Sequence, residues 1–158
     1  MTNAVQLRAV EDGDLPVFFA HQRDPEAIRM AAFPSREHDA FMAHWARIRA
    51  TPLETITRTI LVEGRVAGNV GSWVQAGQRE VGYWLGREFW GRGIASAALA
   101  LLLAEVKARP LHAHVIKHNV ASIRVLQKCG FTITGSEKFP DKAGAEIEEV
   151  ILTLAGPS

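Results

Sequence analysis

Glu80-Val81-Gly82-Tyr83-Trp84-Leu85, then Trp90-Gly91-Arg92-Gly93-Ile94-Ala95, then an apolar run to about Val106, is the stretch on which the fold turns. A strand feeds a glycine-rich turn, and the turn opens a helix predicted from about Gly91 to Lys107. Glycine lets backbone approach a ligand closely, and the first N–H groups of a helix have no partner inside it. With the helix dipole they make a place for phosphate. Taken alone, the turn admits three readings: a plain structural turn, a dinucleotide fingerprint, or a seat for another phosphate-bearing ligand. The dinucleotide fingerprint belongs to an early strand–helix–strand unit, with an acidic residue about 20 positions on. Here the turn follows hairpin-linked strands, and the later region is His112–Val115, so that reading is weak. No Gly-Lys-Ser/Thr ending follows, which disfavours an ATP-type phosphate loop.

Outward from this stretch, short strands and helices alternate. Gln6-Leu7-Arg8 reads as a first strand. Asp12 or Asp14 can cap a helix with Pro16 in its first turn and Leu15, Phe18 and Phe19 as its buried stripe. Gln22 to Pro34, with Asp24-Pro25 and Phe33-Pro34, reads as an irregular connection. Ser35 is placed to cap a second helix, on which Phe41, Trp45 and Ile48 share a face, and Thr51-Pro52 ends it. Thr57 to Val62 and Val66 to Val74 read as strands about a tight Glu63-Gly64-Arg65 turn, with Gly68 and Gly71 marking bulges. Ala76-Gly77-Gln78 turns back into Glu80–Leu85. On the third helix Ile94, Ala97, Ala98, Leu101, Leu102 and Glu105 are expected on one side. Arg109-Pro110 stops it, and Leu111 to Ile116 is a strand. Asn119 caps a fourth helix that Gly130 closes. Phe131–Gly135 and Ile147–Leu154 are final strands joined by a polar Glu137–Gly144 loop. The order βααβββαβαββ is α+β, and one domain over residues 1–158 is expected, without repeat or linker.

Composition narrows the function classes. A chain of 158 residues with 47% hydrophobic and 22% charged residues can bury a core and is not disordered. A net charge of +1 argues against a nucleic-acid binder. Cys129 is the single cysteine, so neither an intrachain disulfide nor a cysteine-rich zinc site can form. No run of about 18 apolar residues predicts a membrane helix. Met1 to Val10 lacks the pattern of a signal peptide, so a cytoplasmic protein without membrane partners is expected.

Asn119-Val120-Ala121-Ser122 followed by Lys128-Cys129-Gly130-Phe131 forms a second motif. Together the two segments, within about residues 79 to 131, resemble the GNAT superfamily of N-acetyltransferases, and within it the RimJ/RimL-like branch. There the turn reads Trp-Gly-(Arg/Lys)-Gly-x-Ala and the later segment Asn-x-x-Ser…Lys-x-Gly-Phe. The broader family pattern has Gln or Arg where this chain has Trp90. The resemblance implies a GNAT-like fold: a central, mostly antiparallel sheet of about six or seven strands, splayed between the fourth and fifth, with about four helices. It implies acetyl-CoA as co-substrate and no metal. The N–H groups from Gly91 to Ala95 would cradle the pyrophosphate, and Leu85 would pair its backbone with the pantetheine arm. Tyr83, Trp84, Trp90, Arg92, Gly93, Ile94, Asn119 and Ser122 would lie along the cofactor. The acceptor would be a primary amine on a small molecule or peptide, such as a protein N-terminus, an amino acid, a polyamine or an antibiotic. Assembly as a homodimer is left open.

The chemistry falls on three residues, each with an ordinary reading beside it. Glu80 is either a strand-end carboxylate in water or the general base that strips a proton from the amine. Ser122 either bonds its local backbone or supplies a proton to the departing thiolate. Asn119 is a helix cap that, by the resemblance, also lies beside the thioester. Tyr83 and Trp84 point to opposite sides of the sheet, one toward the core and the other toward an acceptor pocket. His112 and His114 share a strand face without a nearby carboxylate in sequence, and read as a packed or surface pair. Cys129 reads as a small buried hydrophobe. The leading expectation is acetyl transfer by direct attack in a ternary complex. The alternative is a non-catalytic acyl-CoA-binding sensor or complex subunit.

Overall fold

Runs of β-branched residues and two tight turns build an antiparallel meander at one side of the molecule. In this computed structural model, which describes residues 4–31, 35–141 and 143–156, the strands are β1 (Val5–Arg8), β2 (Ile56–Val62), β3 (Arg65–Gln75) and β4 (Gln78–Leu85). Glu63-Gly64 and Ala76-Gly77 join β2 to β3 and β3 to β4, with positive φ at both residues of each pair. That is the two-residue turn whose twist matches the sheet. The order continues through β5 (Leu111–Ile116), β7 (Glu146–Leu154) and β6 (Thr132–Pro140), giving β1-β2-β3-β4-β5-β7-β6. Every pairing is antiparallel except β4 with β5, which is parallel and holds at the pair Glu80–His112. The expected splay is there, in a seven-stranded sheet.

Among the described residues, five α-helices flank the sheet: α1 (Leu15–Gln22), α2 (Pro25–Ala31), α3 (His38–Arg49), α4 (Ile94–Glu105) and α5 (Val120–Lys128). The extra one, α2, occupies residues expected to be irregular. Asp24 accepts the N–H of Glu26 at 3.2 Å and Pro25 fills the first turn, where a missing N–H is harmless, so Asp-Pro here starts a helix. Phe33-Pro34 falls outside the described residues. Ser35 is not the cap of α3; Glu37 holds that place, and Ser35 bonds the carbonyl of Arg36.

The other departures have local causes. α4 begins at Ile94, after Gly91 and Gly93 take left-handed backbone, and ends at Glu105. It buries Ile94, Ala95, Ala98, Leu99 and Leu102, while Leu101 is 41% exposed and Glu105 pairs with Arg58 at 3.0 Å. Only Ser96 and Glu105 are polar in this helix, so nothing in its sequence sets the phase of the buried face. The bulge falls at Ala67, beside Gly68, whereas Gly71 pairs regularly with Thr57. Gly68 has a different reason to be glycine: a Cβ there would lie 2.0 Å from the Trp84 carbonyl oxygen. β6 extends through Glu137–Pro140, which shortens the expected loop to a turn in which Asp141 accepts the N–H groups of Ala143 and Ala145. α5 closes as expected: Gly130 has φ +99°, its N–H reaches Gln127, and the N–H of Phe131 reaches Leu126.

Two apolar clusters hold these layers. The larger joins the sheet to α4 and α5; the smaller is Leu15, Phe18, Phe41 and Trp45, with Phe18 and Trp45 ring centres 5.1 Å apart. Asp14, expected to cap α1, makes no cap bond. Its buried carboxylate instead takes Arg8 at 2.7 and 2.9 Å, the Thr59 hydroxyl at 2.6 Å and the Glu11 N–H at 2.9 Å. Burial alone would raise its pKa, but these bonds and the Arg8 charge outweigh it and hold the group at about 2. A carboxyl depressed from its ordinary value contributes stability above the unfolded-state pKa and loses it as pH falls through the folded one. Asp14→Asn is therefore expected to cost about 2 kcal/mol at neutral pH. It should also remove most of the stability change between about pH 4 and 2, as read by urea unfolding across a pH series.

Candidate functional site

Beyond Glu80 the strand β4 keeps β3 on one side and, among the described residues, has no strand on the other. The space is closed from β5 onward by α5, whose start is fixed by Asn119: its N–H reaches the Ile116 carbonyl at 2.9 Å and its side chain accepts the Ser122 N–H at 3.3 Å. Ser122 then accepts the hydroxyl of Tyr83 at 3.0 Å, across 39 residues of sequence. Burial pushes the Tyr83 phenol up, although the Ser122 bond works against this, so the phenol stays a proton donor.

The glycine turn is tied to the end of β4. The Trp90 indole N–H donates to the Leu85 carbonyl at 3.1 Å, which gives a structural reason for tryptophan at that place. Gly91 and Gly93 have φ of +72° and +76°, and a Cβ on either would meet open space. The bond from the Ala97 N–H to the Gly93 carbonyl, 3.2 Å, is the first of the helix, so the amides before it have no partner within α4. Open space, unpartnered N–H groups and a helix dipole together fit an anion. The Arg92 guanidinium lies over the Phe89 ring at 5.6 Å. Ile94 is core, 1% exposed, and can offer a ligand only its backbone.

Two cavities open on this region. One of about 200 Å³ is lined by Tyr83, Trp84, Leu85, Trp90, Gly91, Ala95, Asn119 and Ser122, all expected site residues, and by α2. Arg92, Gly93 and Ile94 lie at its turn without lining it. The other, about 740 Å³, reaches between α3, β3 and β5. Tyr83, Trp84, Asn119 and Ser122 line both. Tyr83 packs against the main core, as expected of one of the two rings, and both Tyr83 and Trp84 also border the open space.

Glu80 is elsewhere than expected. It is 4% exposed and lines neither cavity. Its carboxylate meets His114 Nε2 at 2.9 Å, and His114 Nδ1 meets Glu149 at 2.8 Å. His114 and Glu149 do line the larger cavity. An imidazole that faces carboxylate oxygens with both nitrogens can bond both only if the three groups carry one extra proton. Burial raises the Glu80 pKa, with His114 and His112 pulling it down and Glu149 pushing it up. His114, read as part of a packed or surface pair, is exposed at the surface and makes these two bonds there. His112 bonds the Thr153 hydroxyl at 3.1 Å. Sequence reasoning missed Glu149, because it reaches His114 diagonally: His114 is opposite Ile151, and Glu149 is opposite Ile116. Only the strand register carries that signal. Cys129 is half-buried, its thiol pushed up by burial and bonded to the Ser96 carbonyl at 3.6 Å. Among the described residues, no helix is long and apolar enough to cross a membrane.

The family model described as an acetyltransferase (GNAT) domain matches residues 5–132. No curated protein matches the sequence. Among solved structures, the chain is similar to RimL, a ribosomal-protein alpha-N-acetyltransferase in complex with coenzyme A, at 19% identity over 99% of this chain and 96% of that one, TM-score 0.82. It is similar to a phosphinothricin acetyltransferase from Sinorhizobium meliloti in complex with acetyl-CoA, at 22% identity over 96% and 89%, TM-score 0.81. It is also similar to a spermidine N-acetyltransferase from Vibrio cholerae in complex with CoA and spermine, at 16% identity over 95% of each chain, TM-score 0.77.

Proposed function

The chain belongs to the GNAT acetyltransferase family, and we propose that, as one domain, it transfers the acetyl group of acetyl-CoA directly to a primary amine in a ternary complex. The observation that carries this reading is the junction of the cavities. A thioester reaching out of the smaller one and an amine reaching out of the larger one meet at Tyr83, Trp84, Asn119 and Ser122. The unpartnered amides from Gly91 to Ala95 suit the pyrophosphate, and the parted edge of β4 suits an extended arm. The solved neighbours are named for a ribosomal protein, phosphinothricin and spermidine, so the RimJ/RimL-like placement rests on the two sequence motifs. Nothing in the site favours the non-catalytic reading.

An ammonium must lose a proton before it can attack. Glu149 faces the cavity and takes that proton on its carboxylate, while His114, bonded at both ring nitrogens, links it to buried Glu80. The base expected at Glu80 is thus the whole carboxylate–imidazole–carboxylate group. The neutral nitrogen then forms its bond to the thioester carbon, and a β4 N–H on the parted side supports the oxyanion. As the C–S bond breaks, the thiolate receives a proton from the Ser122 hydroxyl, which Tyr83 can replenish. The second amine proton leaves by the route of the first. Asn119 keeps Ser122 in place through the cap bond.

Gly93→Asp should weaken CoA binding at least tenfold by calorimetric titration, because the substitution puts a negative charge where the pyrophosphate is seated. Asp tolerates a left-handed backbone, so the melting temperature should change little; unchanged affinity in the folded variant would move the cofactor elsewhere. Glu80→Gln keeps the shape and leaves an oxygen for His114. Turnover should fall on the order of 100-fold at neutral pH with CoA affinity unchanged. Because burial raises the Glu80 pKa, wild-type activity should climb with pH as this group deprotonates. The deficit of the variant should narrow at high pH, where the amine is already neutral. Full activity at neutral pH would remove Glu80 from the mechanism.

A further inference from the structure

Two of the four tryptophans stand apart from the packed layers. Trp73 and Trp84 are half-buried, line the larger cavity and, among the described residues, belong to neither apolar cluster. Trp73, in β3, is opposite Glu80, so its ring stands on the sheet face that also carries Gly82 and Trp84. The ring is held at both ends. Its indole N–H donates to the Gln75 side chain at 3.3 Å. The far edge of its six-membered ring reaches over Gly82, where a Cβ would lie 2.7 Å from it. Gly71 is opposite Gly82, so neither strand puts a side chain on the cavity floor beside the ring. A tryptophan fixed in this way presents an apolar face with little further loss of side-chain freedom on binding.

The other pole of the cavity is anionic. Glu149 is, among the described residues, the one carboxylate on its lining, and His114 joins it to Glu80. Two carboxylates and an imidazole that share one extra proton carry a net negative charge, which attracts an ammonium. The remaining titratable lining groups are Tyr83, His44 and Arg36. The ring seat reaches β4 at Gly82, and the anionic seat spans β5 and β7, the next strands in the sheet, so a short tether joins the two.

We propose that the acceptor is an arylalkylamine, with its ring stacked on Trp73 and its amino group toward Glu149. This rests on the acetyl-transfer reading above. Aromatic pairs attract beyond the area they bury, a gain that a saturated ring does not make. A polyamine would leave the Trp73 face uncovered and bring its second ammonium to a lining with no second carboxylate among the described residues. A volume of about 740 Å³ takes an amine with one or two rings.

The test is thiol release from acetyl-CoA with 2-phenylethylamine, 2-cyclohexylethylamine, ethylamine and spermidine, each rate referred to the neutral amine, with CoA affinity followed by calorimetric titration. The wild type should favour 2-phenylethylamine over ethylamine and spermidine by about tenfold or more in kcat/KM, because the ring is buried. It should favour it over the cyclohexyl amine by about threefold or more, because the ring is aromatic. Trp73→Leu should collapse this order by raising KM for 2-phenylethylamine about tenfold, with its kcat and the CoA affinity little changed. Trp73→Phe should restore most of the order, since an aromatic face returns. Ethylamine, spermidine or the cyclohexyl amine served as well as 2-phenylethylamine by the wild type would overturn the acceptor assignment, as would an equal loss for all four amines in Trp73→Leu. Absence of transfer to every amine while CoA still binds would overturn the acetyl-transfer reading itself.

Discussion

β4 and β5 meet at Glu80 and His112 and then separate, and the site depends on that parting. Each strand is committed to its outer neighbour. β5 pairs along its whole length with β7, from Leu111 opposite Leu154 to Ile116 opposite Glu149. β4 lies so close to β3 that a Cβ at Gly68 would collide with the Trp84 carbonyl, and one at Gly82 would lie 2.7 Å from the Trp73 ring. Neither strand can turn toward the other without giving up those contacts. The edge left open on β4 ends at Leu85, where Trp90 ties on the glycine turn. The start of α5 closes the other side. The proposed phosphate seat, arm site and reacting centre would thus all follow from one divergence of a sheet.

The same vertex fixes the electrostatics. Glu80 is placed where the two strands still touch, which buries its carboxylate and brings it to His114, two residues beyond its bridge partner. Removing a charge from water costs several kcal/mol unless a partner compensates. The compensation is shared among Glu80, His114 and Glu149, and only the latter two face the cavity. Asp14 solves a similar problem at the other end of the sheet with Arg8, Thr59 and a backbone N–H. There every bond satisfies the carboxylate and nothing is left to titrate near neutral pH, as a structural role requires.

What the sequence revealed was mostly local. The glycine turn, the strand Leu111–Ile116, the Asn119 cap and the Gly130 stop are each determined by residues within a few positions, and each is in place. The start of α2 was just as local but was masked by the usual association of Asp24-Pro25 with turns. The buried face of α4 could not be read because apolar residues surround the helix. The groups proposed to react were hardest. Tyr83 finds Ser122, and His114 finds Glu149, through sheet register and the splay, across 39 and 35 residues. A motif can name one member of such a group, as it did for Ser122 and Glu80, without showing which partner lines the cavity.

The central claim is that the parted edge of β4 and the glycine turn form one continuous binding surface. Amide hydrogen exchange with and without CoA tests it residue by residue. The account predicts slowed exchange in two separate segments, Tyr83–Leu85 and Gly91–Ala95, rising together with CoA concentration. Protection that spares both segments while CoA is bound, or that appears instead along the exposed β6 edge, would contradict it.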